Sequence, residues 1–148
     1  DSPIAPHRQC AAGVQMFSLL AQLRHGGGGT TFIAGMHKVL LRYYDSLDDD
    51  ERAAKHATHR KRVMKSHPWL RELAGHNREI VDREPYFMTE GGDIDGAPVR
   101  VHEMTGEPGD VYLLHPLSMH TWAPNASDKP RIMRSKMIVH RNFDWRER

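Results

Sequence analysis

The spacing of apolar positions along this chain changes from strand-like to helical and back again. Residues 14–23, Val-Gln-Met-Phe-Ser-Leu-Leu-Ala-Gln-Leu, form a compact apolar run bounded by Gly13 and by the glycines at 26–29. Its length suits a buried strand. Residues 30–34 are β-branched and aromatic, so the glycines before them read as a turn between two strands. From His37 to Tyr44 the period becomes helical, with Val39, Leu40, Tyr43 and Tyr44 gathered on one side. Ser46 reads as the N-cap of the next helix, with Asp48, Asp49, Asp50 and Glu51 at its positive end. His59-Arg60-Lys61-Arg62 and Lys65 follow towards the other end, and His67-Pro68 predicts the stop. Acid-first, base-last order predicts a solvated helix, and 69–73 predicts a second helical turn.

Strand text returns from Pro85. Residues 86–89 and 99–104 flank Gly91-Gly92-Asp93-Ile94-Asp95-Gly96, a hairpin turn in composition. Gly106-Glu107-Pro108-Gly109 predicts another turn, and 111–114 a short, buried, continuously apolar strand. A loop rich in Pro, Asn, Ser and Asp covers 123–130, and 131–139 is the last strand. Its alternation puts Arg131, Met133, Ser135 and Met137 on one face and Ile132, Arg134, Lys136 and Ile138 on the other.

Composition narrows the class. With 148 residues, 39% of them apolar, the chain supports one core. No run approaches the roughly 20 apolar residues that span a bilayer. A net charge of +2 gives no electrostatic case for a nucleic-acid or membrane-surface partner. Cys10 is the single cysteine, which predicts a reducing, cytoplasmic setting and a small inert hydrophobe rather than a disulfide. The histidines, 11 in all, are the unusual feature, because imidazole is the commonest metal ligand.

Two motif readings fail on their missing halves. His25-Gly26-Gly27-Gly28 resembles an esterase oxyanion turn, but the chain has no Gly-x-Ser-x-Gly elbow. The glycines are not followed by the Gly-Lys-Ser/Thr of a phosphate loop.

One stretch carries more. In Gly109-Asp110-Val111-Tyr112-Leu113-Leu114-His115-Pro116-Leu117-Ser118-Met119-His120 a Gly-Asp turn launches a strand and leads to a histidine. Arg131 follows eleven positions later and opens another strand. This resembles the C-terminal half of the phytanoyl-CoA dioxygenase family of iron(II)/2-oxoglutarate oxygenases. The family's second metal histidine and its cosubstrate-binding arginine have that spacing. Gly27-Gly28-Gly29-Thr30-Thr31-Phe32-Ile33-Ala34-Gly35-Met36-His37 resembles its Gly-rich turn and following strand, departing from the usual Pro-Gly-Ser-His at Met36 and in lacking the proline. The likeness covers residues 17–137.

The resemblance implies a single, mainly β domain over 1–148: a double-stranded β-helix, or jelly-roll, cupin-like barrel, with a helical insert at about 37–80 and with the N-terminal part of the domain missing. It implies Fe(II) as metal, 2-oxoglutarate and molecular oxygen as cosubstrates, and hydroxylation of a small organic substrate. His120 would ligate iron, because two histidines and one carboxylate hold Fe(II) and leave positions open. Arg131 would anchor the far carboxylate of 2-oxoglutarate through its planar fork. Ser135, on the same strand face as Arg131, would add a hydroxyl.

The family's His-x-Asp is not present. The nearest text is His7-Arg8-Gln9, where the neutral Gln9 replaces a carboxylate, and His7 stands closer to Gly27 than the family's spacing puts the motif. Asp1-Ser2-Pro3 resembles a tripeptide found just after that motif in some members, which predicts that the motif lies upstream. His7 as a variant ligand and a barrel without metal are the alternatives. With one protein ligand the chain should hold iron poorly and be inactive alone. The rival functions are a cupin-type metal protein of other activity, whose His-x-His and Glu motif the chain lacks, and an inactive barrel used for binding. His115 reads as a structural strand-end residue and His37 as a helix-start residue. Trp122 reads equally as a mouth residue or as rim filling.

Overall fold

A computed structural model describes residues 13–52, 54–75 and 83–139. Strands β1 (Gly13–Leu19) and β2 (Thr30–Ala34) come first, followed by helices α1 (Met36–Asp45), α2 (Asp49–Arg52), α3 (His56–Ser66), α4 (Pro68–Leu73) and α5 (Arg83–Thr89). Strands β3 (Gly92–Ile94), β4 (Ala97–Glu103), β5 (Val111–Leu114), β6 (His120–Trp122) and β7 (Met133–Val139) complete the order. The architecture is mainly β, in two antiparallel sheets of order β5-β1-β7 and β3-β4-β2-β6. Among the described residues no helix is long and apolar enough to cross a membrane.

Period-2 alternation gives each strand two faces, and the two sheets use theirs differently. Phe17, Met104 and Leu114 form one buried cluster with Phe32, Tyr112 and Met133 packed on it, joining the sheets. The opposite face of the larger sheet supplies Ile33, Val99 and Val101 to a bigger core, completed by Met36, Leu40, Tyr44, Val63, Leu70 and Phe87 of the helices. The helical segment is therefore not a polar excursion: it carries the main core, and it runs over 36–89 rather than 37–80.

The entry to that segment depends on Gly35. Its φ of 80° lies in the left-handed region, and a Cβ there would meet the Pro98 carbonyl oxygen at 2.0 Å. Arg42 then fastens α1 to the β3–β4 turn by donating to the Asp95 carbonyl. That turn is tight, with Asp95 at φ 52° and Gly96 at φ 77°, as two-residue hairpins require.

Several local expectations are corrected. Ser46 closes α1 instead of opening a helix: its N–H donates to the Arg42 carbonyl and its hydroxyl to that of Tyr43. The cap is Asp48, whose Oδ1 accepts from the Glu51 N–H at 2.7 Å while Glu51 Oε2 accepts from the Asp48 N–H. The single acid-to-base helix is two helices, α2 and α3. The second is not wholly solvated, since His59 is buried and its Nδ1 meets the Tyr43 hydroxyl at 3.0 Å.

Residues 86–89 are helical, not extended. Phe87 is buried edge-on against Trp69, a contact that decides the conformation over local β propensity. The hairpin partner of β4 is β3 instead. The predicted 14–23 strand ends at Leu19, and the glycine turn links the two sheets rather than two neighbouring strands. β5 is an edge strand with Val111 and Leu113 exposed, so the apolar run 111–114 is buried on one face only. The last strand begins at Met133, two residues after Arg131.

Gly35→Ala should lower the unfolding free energy by at least about 2 kcal/mol, combining the left-handed penalty with the Pro98 clash. Urea denaturation checks it, and Gly96→Ala, whose Cβ would meet nothing within 4 Å, should cost less.

Candidate functional site

Cross-strand register brings the candidate residues to one place. Phe32 lies opposite His102 on β4 and opposite His120 on β6, so all three share a face. On the facing sheet Phe17 lies opposite both Tyr112 and Ser135. The two faces meet where Phe17 packs edge-on against His120, ring centroids 5.2 Å apart. Phe32 stacks on His102 at 5.6 Å.

His120 opens β6, an exposed strand at the edge of its sheet. Its Nδ1 lies 3.0 Å from the Ser118 carbonyl oxygen, which can only accept. Nδ1 therefore carries the proton of the neutral ring and Nε2 keeps its lone pair, the tautomer a metal-ligating histidine uses.

Two cavities adjoin this residue. The smaller, about 340 Å³, is walled by both sheets and lined by His120, Arg131 and Ser135 together with Phe17, Met133 and Trp122. The larger, about 570 Å³, runs from His120 between the strands and helices α1, α3 and α4. The alternation read along 131–137 holds, since Arg131, Met133 and Ser135 line the same cavity. Trp122 is 75% exposed, so it sits at the mouth rather than filling the rim.

Arg131 Nη1 donates to the Gly28 carbonyl at 2.9 Å, and its other donors have no protein acceptor among the described residues. Its placement depends on Glu103, which the sequence did not single out. The side chain of Glu103 is only 1% exposed. Its Oε2 accepts from the Gly26 N–H and contacts His25 Nδ1 at 2.7 Å, and its Oε1 accepts from the Gly29 N–H at 2.9 Å. This buried carboxylate fixes the glycine turn from β4. From the other side the Ala123 N–H donates to the Gly29 carbonyl and the Ala126 N–H to that of Gly26. The turn therefore locks the β6–β7 loop, and with it the separation of His120 from Arg131.

His37 and His115, read from sequence as structural, stack on each other at 5.0 Å. Burial, then the Lys38 charge, lowers the His37 pKa; burial, then His37, lowers that of His115. The Leu117 N–H donates to His115 Nδ1 at 3.1 Å, which needs that nitrogen unprotonated.

The donor set for iron is incomplete among the described residues. No group of three or more His, Cys, Asp or Glu side chains there can hold a metal ion. Among the described residues, His120 is the one imidazole on either of these two cavities, and no carboxylate lines them. His7, Gln9 and Cys10 lie outside the described residues. No family model, no curated protein and no solved structure matches the chain.

Glu103→Ala should cost about 2 to 3 kcal/mol, because two part-buried backbone N–H groups lose a charged acceptor. Thermal or urea unfolding measures it. The histidine stack makes a separate prediction. The folded state disfavours the imidazolium, while the unfolded chain takes up protons at the ordinary value of 6.5. Its contribution is therefore complete above that value and is lost as pH falls below it. His115→Asn keeps an acceptor for the Leu117 N–H and should flatten the decline in melting temperature between pH 7 and pH 5.

Proposed function

We propose that this chain is a double-stranded β-helix, or jelly-roll, domain of the Fe(II)/2-oxoglutarate-dependent oxygenase type, akin to the phytanoyl-CoA dioxygenase family, working in a reducing cytoplasm. The proposed reaction hydroxylates a small organic substrate with molecular oxygen and converts 2-oxoglutarate to succinate and carbon dioxide. The observation that carries the reading is the convergence of His120, Arg131 and Ser135 on one cavity walled by both sheets.

The roles follow from the side chains. Arg131 offers its unused donors to the far carboxylate of 2-oxoglutarate as a charge-assisted pair, and the Gly28 carbonyl holds the guanidinium in position. The Ser135 hydroxyl adds a neutral donor to the same carboxylate. Phe17 and Met133 give the cavity an apolar side beside Arg131. The described residues supply one of the three protein ligands that Fe(II) needs in this chemistry. The others would have to come from outside them, where His7 stands.

That shortfall favours one second reading, a barrel that binds a dicarboxylate without redox chemistry.

Anaerobic addition of Fe(II) and 2-oxoglutarate to the protein together with any upstream segment that carries a His-x-Asp tests both. The oxygenase reading expects the weak visible charge-transfer band of the chelate, lost in His120→Ala. Arg131→Ala should weaken 2-oxoglutarate binding at least about tenfold in calorimetry while leaving iron retention unchanged. Binding of 2-oxoglutarate without the band supports the binding barrel. An Arg131 variant that binds 2-oxoglutarate as tightly as the parent overturns both.

A further inference from the structure

Helix α3 buries His59 and Val63 on one stripe, which turns Arg60 and Met64, one turn apart, towards the larger cavity. That cavity has walls from Ile33, Leu40, Val101 and Leu117, with the hydroxyls of Ser118 and Thr121 near the His120 end. Its volume of about 570 Å³ lies within the usual range for small-molecule sites. Among the described residues, Arg60 is the one permanently charged group lining it, and no carboxylate lines it there. Arg60 has no hydrogen-bond or ion-pair partner among the described residues. Nor is it needed to hold the fold, since it is an exposed residue on a helix whose core contacts lie at 59 and 63.

We infer that the larger cavity binds an apolar monocarboxylate, its hydrocarbon body against the helices and its carboxylate on Arg60. A planar guanidinium matches a carboxylate better than it matches an alcohol. The inference rests on the oxygenase reading only for what happens at His120. There the cavity shares His120 and Thr121 with the smaller one, so an acid held by Arg60 would lie in the cavity that borders the proposed centre. Arg60 and Arg131 thus serve two different acids: one anchors the substrate and the other the cosubstrate.

Calorimetry on the full chain, with neither iron nor 2-oxoglutarate present, tests this with 4-phenylbutyrate and its neutral counterpart 4-phenyl-1-butanol. The acid should bind at least about tenfold more tightly than the alcohol. Arg60→Gln should remove that preference, and Arg131→Gln should keep it. Met64→Trp, which fills the cavity, should weaken acid and alcohol alike, with unchanged far-ultraviolet circular dichroism as the check on folding. Equal binding of acid and alcohol by the parent, absence of binding by both, or an acid preference that survives Arg60→Gln overturns the inference. An acid preference that depends on Arg60, in a chain that fails to bind 2-oxoglutarate, would overturn the oxygenase reading and leave this site standing.

Discussion

The carboxylate of Glu103 is the contact on which the candidate site depends. A buried charge is expensive unless its oxygens are satisfied, and here two backbone N–H groups of the glycine turn and the His25 ring satisfy them. A single side chain on β4 thereby sets a backbone segment, and the carbonyls of that segment set two others. Gly28 receives Arg131, and Gly29 and Gly26 receive the loop beyond β6. The turn is glycine-rich because the backbone must come close to its neighbours: a Cβ on Gly29 would lie 2.4 Å from the Met104 carbonyl oxygen.

The two faces of the larger sheet divide the labour. One face closes with the helices into the main core, and the other faces the three-stranded sheet across a thinner apolar cluster. His120 sits where both regions reach the sheet edge, which is why it borders two cavities of different character. The smaller is mixed in polarity and bears Arg131, whereas the larger is mostly apolar and bears Arg60. Stability and binding are drawn from the same helices, since α3 packs through Val63 and lines the cavity through Arg60.

The sequence was most legible where one local signal acted without competition. Residues 30–34 are strand at the expected bounds, α1 follows its helical period, and the alternation from Arg131 to Ser135 names a shared face. It misled where two signals competed. The aromatic text at 86–89 resembles a strand, but Phe87 has Trp69 to pack against, and burial outweighs propensity. Ser46 and Asp48 both cap well, and the reciprocal bond with Glu51 selects the aspartate. Glu103 was invisible for another reason: its partners are backbone N–H groups more than seventy residues away, and these leave no residue-type signature. The wall formed by α3 was hidden likewise, because a basic helix face looks the same whether it meets water or a cavity.

The position of β1 has a temporal consequence. It lies between β5 and β7, pairing Gly13 with Val139 and Phe17 with both Tyr112 and Ser135. During synthesis β1 leaves the ribosome long before either neighbour exists. The segment from β2 through β4, by contrast, contains its own main core and most of its own pairings. Loop closure over such separations is slow, so β2 to β4 and the helices are expected to form first, with β6 and the smaller sheet closing later. The nascent chain consequently carries β1 as an unpaired apolar strand until β5 and β7 have been made, the interval in which it is most exposed to aggregation and to chaperone capture.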